Sequence, residues 1–335
     1  MPDSRLGIFL GTDASLDGEL FGSESKDVYW HPLSENSPHL AITGSSGTGK
    51  TETLKRICFE LKKKGIPTVI IDFHDEFGSL ADNLISLDNA TIHPLEIPRG
   101  EKPKDAKLKA ADIFAKSYGL GVQQKGILKE AIERFYRESG ISDMDGRSEG
   151  EASLLRFSEF REVLRSVCHF AKKKDLYYRL DEVFEADIFM NAERTVFPFE
   201  TLWTGVSVIQ LKDVQTDEMK QVISEILLKK LRDHAYTQGA SSSMRLFCVI
   251  DEAHRMVYDG SPLDSLLRES RKYGVGIILA SQQSRDFSEI VTNNVGSILA
   301  FQSSSTDARR ISSIIKVDPY DFQLLSEKGF CFFWR

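Results

Sequence analysis

Residues 44–51 read Gly-Ser-Ser-Gly-Thr-Gly-Lys-Thr, a complete G-x-x-x-x-G-K-T motif. It stands between an apolar run, His39-Leu-Ala-Ile-Thr43, and a helical pattern from Lys50 to about Lys64. A glycine-rich turn between strand and helix lets the backbone wrap closely round a phosphate, so that successive N–H groups and the start of the helix point at its oxygens. The cradle is Gly44, Ser45, Ser46, Gly47, Thr48, Gly49, Lys50 and Thr51. Lys50 is expected to reach the β- and γ-phosphates, and Thr51 to hold Mg²⁺ through its hydroxyl.

The rest of the chain follows the same grammar. Pro67-Thr-Val-Ile-Ile-Asp-Phe73 is dominated by β-branched residues with no polar alternation, as expected of a strand covered on both faces. Further units are predicted in order: strand Gly205–Leu211 with helix Thr216–Tyr236, strand Arg245–Asp251 with helix Leu263–Tyr273, strand Gly276–Ser281 with helix Phe287–Asn293, strand Ser297–Gln302 with helix Thr306–Ile315, and a closing aromatic strand, Gly329–Arg335. Alternating strands and helices predict an α/β fold with a mostly parallel central sheet. Residues 99–191 change character to charge-rich helical periods (Lys107–Lys116, Lys125–Glu138, Ser158–Lys174) and read as a helical insertion, with a loop at 140–151. The expected organisation is a lead-in segment, 1–38, with strands at Leu6–Leu10 and Val28–Trp30 forming a hairpin or a sheet edge, and a core spanning 39–335.

Three further segments carry chemistry. Leu246-Phe-Cys-Val-Ile-Asp-Glu-Ala-His254 is a buried strand ending in two acids. Asp251 suits the Mg²⁺ shell, while strand alternation would point Glu252 the other way, where it can polarise an attacking water; the alternative is that the pair caps the next helix. His254 either couples the site to a neighbour or packs. Ile277-Ile-Leu-Ala-Ser-Gln-Gln283 turns polar at its carboxyl end, which in a parallel sheet lies beside the nucleotide crevice, so Gln282 can touch the γ-phosphate or the water. In Leu267-Arg-Glu-Ser-Arg-Lys-Tyr-Gly274, Arg271 either favours the negative end of a helix dipole or projects into a neighbouring subunit's site; Arg309 and Arg310 compete for that second role.

In this order, ITGSSGTGKT, VIIDFHDEFG, GVSVIQL, CVIDEAH, RESRKYGVGIILASQ and NNVGSILAFQSSSTDARR resemble the HerA/FtsK superfamily of ring-forming ATPases from about His39 to Arg335. The Asp-Glu-Ala-His form and the Ser270–Gly274 segment are more similar to HerA-like proteins than to the bacterial division translocases. The resemblance implies a RecA-like P-loop NTPase that binds ATP and Mg²⁺, assembles as a hexameric ring and couples hydrolysis to movement along double-stranded DNA. Lys50, Thr51, Asp251, Glu252, Gln282 and Arg271 fall on the matching positions, and His74, Asp75 and Glu76 on a position near the nucleotide. Ser297 departs from a strand that often carries a basic residue in the translocases. A rival reading is a regulatory or assembly ATPase that organises a partner nuclease in a DNA-processing or antiphage defence complex; a third is a pump-like ATPase feeding a transfer machine.

Charge bears on the partner. A net charge of −7 over 335 residues argues against a monomer that coats DNA with a basic face, though not against a ring with a few lysines in its channel. Loops at Lys212–Asp217 and Gln283–Glu289 are the candidate channel contacts; the lysine-rich patches at 62–64, 102–109 and 172–174 read first as solvated helix faces. No apolar run approaches the ~20 residues that span a bilayer, so a cytoplasmic location is expected. Cys58, Cys168, Cys248 and Cys331 lack any C-x-x-C spacing and suit reduced thiols rather than zinc or disulfides.

Overall fold

The computed structural model describes residues 6–13, 26–87, 90–98, 100–141, 143–146, 156–190, 195–196, 199–283, 287, 289–323, 325 and 328–335. Strands β1 (Ile8–Thr12) and β2 (Asp27–Trp30) form an antiparallel pair, a sheet of their own rather than an edge of the main one. β3 (Leu40–Thr43) leads through the glycine-rich loop into α1 (Lys50–Lys63), followed by β4 (Thr68–Asp72) and β5 (Asn83–Ser86). Next come β6 (Ala90–Thr91), α2 (Pro103–Ser117), α3 (Val122–Glu138), α4 (Phe157–Phe170), three short helices within 174–190, and β7 (Thr195–Val196), which pairs with β6. The chain continues as β8 (Val206–Gln210), α5 (Asp217–Thr237), β9 (Leu246–Ile250), α6 (Pro262–Glu269), β10 (Val275–Ser281), a single turn at Glu289–Thr292, β11 (Ser297–Phe301), α7 (Ser305–Ile315) and β12 (Cys331–Trp334).

Two compact units result: Met1–Ile85 with Phe199–Lys212 and His234–Arg335, and Ser86–Pro198 with Asp213–Asp233. In the first, eight strands are ordered β12-β11-β3-β10-β9-β4-β8-β5. From β11 to β8 every pairing is parallel, and β12 returns antiparallel along β11. All residues of β3, β4, β9, β10 and β11 are buried, which explains why their sequences run apolar without alternation. Because β11, β3, β10, β9 and β4 are consecutive neighbours, the loops leaving their carboxyl ends gather along one rim. That is where an open parallel sheet forms its crevice. The β1/β2 pair inserts Trp30, which is fully buried, edge-on against Phe247 of β9 at 5.6 Å between ring centroids. Removing a buried indole of this kind costs roughly 3–5 kcal/mol.

The second unit is held by an aromatic cluster, with Phe135, Phe157, Phe160 and Phe184 at centroid separations of 5.5 to 6.0 Å, and by the Tyr136 hydroxyl donating to the Leu95 carbonyl at 2.9 Å. The buried Lys229 ammonium sits 3.5 Å from both Glu101 and Asp233. Local rules decide its helix ends. Pro103 opens α2, where a missing N–H is harmless. The helix predicted over 158–174 stops at Phe170, because Lys172 turns left-handed (φ 54°) and the N–H groups of Lys172 and Lys173 bond back to His169 and Cys168. Of the loop expected at 140–151, residues 142 and 147–151 lie outside the described residues.

Two other predicted helices are shorter in the structure. The one expected over 263–273 becomes a tighter single turn after Glu269, and the one expected over 287–293 is reduced to Glu289–Thr292, with 284–286 and 288 outside the described residues. No helix among the described residues is long and apolar enough to cross a membrane.

Candidate functional site

The loop after β3 folds onto itself and onto its neighbours. Ser45 N–H donates to the Gln302 carbonyl past the end of β11, while the Ser45 carbonyl accepts from both the Thr48 hydroxyl and the Lys50 ammonium, each at 2.8 Å. Gly49 caps α1 with φ 113°, and a Cβ there would lie 3.2 Å from the backbone of Gly329. Gly44 has no more room: a Cβ would approach Phe301 Cβ to 2.5 Å. These two glycines are therefore required by close approach as well as by backbone geometry.

A cavity of about 310 Å³ opens beside the loop. It is lined by Ser46, Gly47, Gly49, Lys50 and Thr51 of the cradle, by Asp251 and Glu252 beyond β9, and by Gln282 beyond β10. Gly44, Ser45 and Thr48 form the loop without lining the cavity. The acid pair is not split between faces as strand alternation predicts. β9 ends at Ile250, Glu252 is left-handed at φ 63°, and both acids are among the residues lining the same cavity. The period-2 rule lapses where extended backbone ends.

Electrostatics separate the two acids instead. Asp251 is 9% exposed, and burial, reinforced by the neighbouring Glu252 charge, pushes its carboxyl up to about 6. Glu252 is drawn down to about 2, first by the bond with His254 Nδ1 at 3.2 Å and then by the Gln282 amide, which donates to Oε1 at 2.8 Å. Lys50 is 7% exposed, and burial lowers its pKa against the pull of Asp251 and Glu252. The buried carboxyl of Asp251, pushed up beside a second acid, is what a cation would relieve, and Thr51 lines the same cavity. Among the described residues no group of three or more His, Cys, Asp or Glu side chains is arranged to hold a metal ion. An ion here would take one or two protein oxygens and complete its shell with phosphate and water, the habit of Mg²⁺.

The raised pKa of Asp251 makes the stability of the fold depend on pH. A folded-state pKa of about 6 above the ordinary 3.8 means the protonated form is favoured in the fold, so the contribution is present below the lower value and lost as pH rises through about 6. Asp251→Asn should therefore stabilise the nucleotide-free protein at about pH 7 by on the order of 2–3 kcal/mol, with the gain shrinking toward about pH 4. Denaturant midpoints of both proteins across that range measure it; equal stability at neutral pH would sink the assignment.

Around this centre Asp72, at the end of β4, accepts from the N–H groups of His74, Glu76 and Phe77 at 3.0 to 3.2 Å. That turn brings His74 and Glu76 to the cavity, whereas Asp75 faces away and bonds Gln210 and Lys212. Arg271 is not part of the cavity. It is exposed on the turn after α6, donates to the Asn36 carbonyl, and lines a separate cleft of about 730 Å³ with Pro32, Leu33 and Ser241 among others. Arg309 is exposed, Arg310 donates to the Phe287 carbonyl at 3.1 Å, and Ser297 is buried in β11.

Sequence reasoning missed Glu52 and Lys55 of α1, which line the cavity, and two residues placed by more distant chain segments. Lys328 lines the cavity from the turn before β12, a placement that depends on β12 returning along β11. His39 is fully buried: its Nδ1 accepts from Ile277 N–H at 3.0 Å, so the proton belongs on Nε2, which donates to the Leu267 carbonyl at 3.1 Å. Burial lowers its pKa to about 4 and keeps it neutral. A neutral imidazole thus ties the base of β3 to β10 and to the end of α6, just ahead of Arg271.

Comparison with known proteins sets these features in a family. The profile described as "Helicase HerA, central domain" matches residues 18–231, more than half of the chain. The DNA double-strand break repair helicase HerA of Sulfurisphaera tokodaii is 24% identical over 275 residues, covering 77% of this chain and 53% of the relative. The chain spans about half the length of the curated relatives it matches. Among solved structures, VirB4 of Thermoanaerobacter pseudethanolicus aligns with a TM-score of 0.72 at 20% identity over 98% of this chain and 93% of that one. The plasmid coupling protein TrwB, solved with ADP and Mg²⁺, aligns with a TM-score of 0.63 at 12% identity over 91% and 83%. The profile match and the shared fold together make this chain a member of the HerA helicase central-domain family, with a RecA-like P-loop NTPase fold.

Proposed function

We propose that the protein is an ATP-hydrolysing motor that works in the cytoplasm as a homo-oligomeric, hexameric ring and couples hydrolysis to translocation on double-stranded DNA. In this reading residues 39–335 form the RecA-like core and 99–191 its helical insertion. One observation carries the reading: Lys50, Thr51, Asp251, Glu252 and Gln282, drawn from three loops, line one cavity beside a phosphate cradle. Ser46, Gly47, Gly49, Lys50 and Thr51 of the 44–51 loop, the members that line the cavity, bind the triphosphate through backbone N–H groups, and Lys50 reaches its terminal phosphates. Thr51 and Asp251 would hold Mg²⁺, which when bound offsets phosphate charge.

Glu252 orients the water that attacks the terminal phosphorus as the bond to the ADP leaving group breaks. A carboxylate held near 2 is a poor proton acceptor but a permanently charged hydrogen-bond acceptor, which suits a loose transition state that needs a positioned water more than a strong base. Gln282, bonded to Glu252, responds to the state of that water and phosphate. Arg271, on a surface away from its own cavity, acts on the neighbouring subunit's nucleotide.

A second reading has its own support. Several of the conspicuous lysines are already engaged: Lys62 with Asp82 at 2.7 Å, Lys107 with Glu133 at 2.6 Å, and Lys109 with Glu101 at 2.5 Å. A ring so equipped can delegate DNA contact to a partner nuclease that it organises. ATPase rate and native mass, measured together with and without duplex DNA, separate the two. The motor reading expects a multi-subunit mass and DNA-stimulated turnover; stimulation by a partner protein but not by duplex DNA would replace it with the second.

A further inference from the structure

The cavity beside the phosphate cradle carries an imbalance of charge. Its lining acids are Glu52, Glu76, Asp251 and Glu252, and its lining lysines are Lys50, Lys55 and Lys328. Lys55 is spent on Glu52, one turn away on α1 at 3.0 Å. Lys50 is buried in the loop and faces Asp251 and Glu252. A triphosphate entering this cavity brings several more negative charges to a wall that is already net acidic, and desolvated like charges cost far more than exposed ones. Among the described residues no carboxylate pairs with Lys328, whose side chain is exposed at the mouth.

Lys328 is held in place by its own backbone neighbourhood. The N–H of Gly329 donates to the Thr48 carbonyl of the cradle at 2.9 Å, and Gly329 adopts φ 95° to make the turn. Gly49 lacks a Cβ where one would come within 3.2 Å of Gly329. Two residues further on, Cys331 is registered opposite Phe301, the same residue that packs beside Gly44 and Gly49. The turn is thus fastened at one end to the cradle and at the other to β11, while the lysine side chain remains solvated.

We propose that Lys328 is a second cation of the phosphate site, supplied in cis by the turn before the last strand, and that it closes on the polyphosphate of a bound nucleoside triphosphate. The proposal rests on the nucleotide reading above. A long flexible ammonium is suited to this task, since it can follow a phosphate as a point charge without a fixed fork geometry.

Titration of the full chain with methylanthraniloyl-ATP in the presence of Mg²⁺ tests it. Lys328→Ala should weaken binding about tenfold, the loss of one charge-assisted hydrogen bond at an open site. Lys328→Arg should stay within about threefold of wild type because the charge is kept. The melting temperature of Lys328→Ala without nucleotide should be unchanged, since an exposed side chain holds nothing together. Binding by Lys328→Ala within about twofold of wild type, with Lys50→Ala defective, would overturn this proposal alone. Failure of the wild type to bind would overturn it together with the nucleotide reading.

Discussion

Glu252→Gln should bind ATP at least as tightly as the wild-type protein and turn it over about 10²–10³-fold more slowly. The amide keeps the size of the carboxylate and can still accept from Gln282, so the cavity wall is preserved. What disappears is a permanent negative charge aimed at the water. Its removal also relieves repulsion of the incoming phosphates, so the dissociation constant should hold or fall. Because Glu252 no longer opposes the ionisation of Asp251, the Asp251 pKa should drop from about 6. Single-turnover hydrolysis and equilibrium binding on the same preparation measure both effects; turnover within about threefold of wild type would remove Glu252 from the mechanism.

Lys50→Ala should fail earlier in the cycle. The ammonium is buried, donates to the Ser45 carbonyl, and interacts electrostatically with Asp251 and Glu252. Without it the cradle keeps its backbone donors but loses its fixed charge, and nucleotide affinity should fall by at least about 30-fold, with turnover down about 10²–10³-fold. Loss of its pull should also raise the Asp251 pKa further, opposite to the effect of Glu252→Gln. Lys50→Arg should not rescue, because the planar fork does not fit the space of a compact ammonium bonded within its own loop. Retained affinity in Lys50→Ala would show that the cavity is not a phosphate site.

The strand and helix order of the first unit was legible because its strands are buried on both faces and its loop motif has one mechanical meaning. Less legible were features set by chain geometry rather than residue type. Nothing in the Asp-Glu pair announces that Glu252 turns left-handed, yet that φ sets both acids on one cavity. Nothing in Ala-Lys-Lys-Lys announces that α4 ends two residues before Lys172. Lys328 is some 280 residues from the cradle in sequence, and only the antiparallel return of β12 brings it there. The short strands β5, β6 and β7 carry no periodicity to find, at four, two and two residues. Nor does the Arg-Lys pair announce that Arg271 lines a cleft separate from the cavity and bonds the Asn36 carbonyl.

The left-handed backbone at 252 also narrows which amino acids can stand there before any chemistry is asked of them. Valine, isoleucine and threonine are sterically unwelcome at positive φ, whereas glycine and asparagine enter readily. A library randomised at this codon and selected only for soluble expression would be enriched in glycine and asparagine and depleted in branched side chains. Glutamate would regain its place only under selection for turnover.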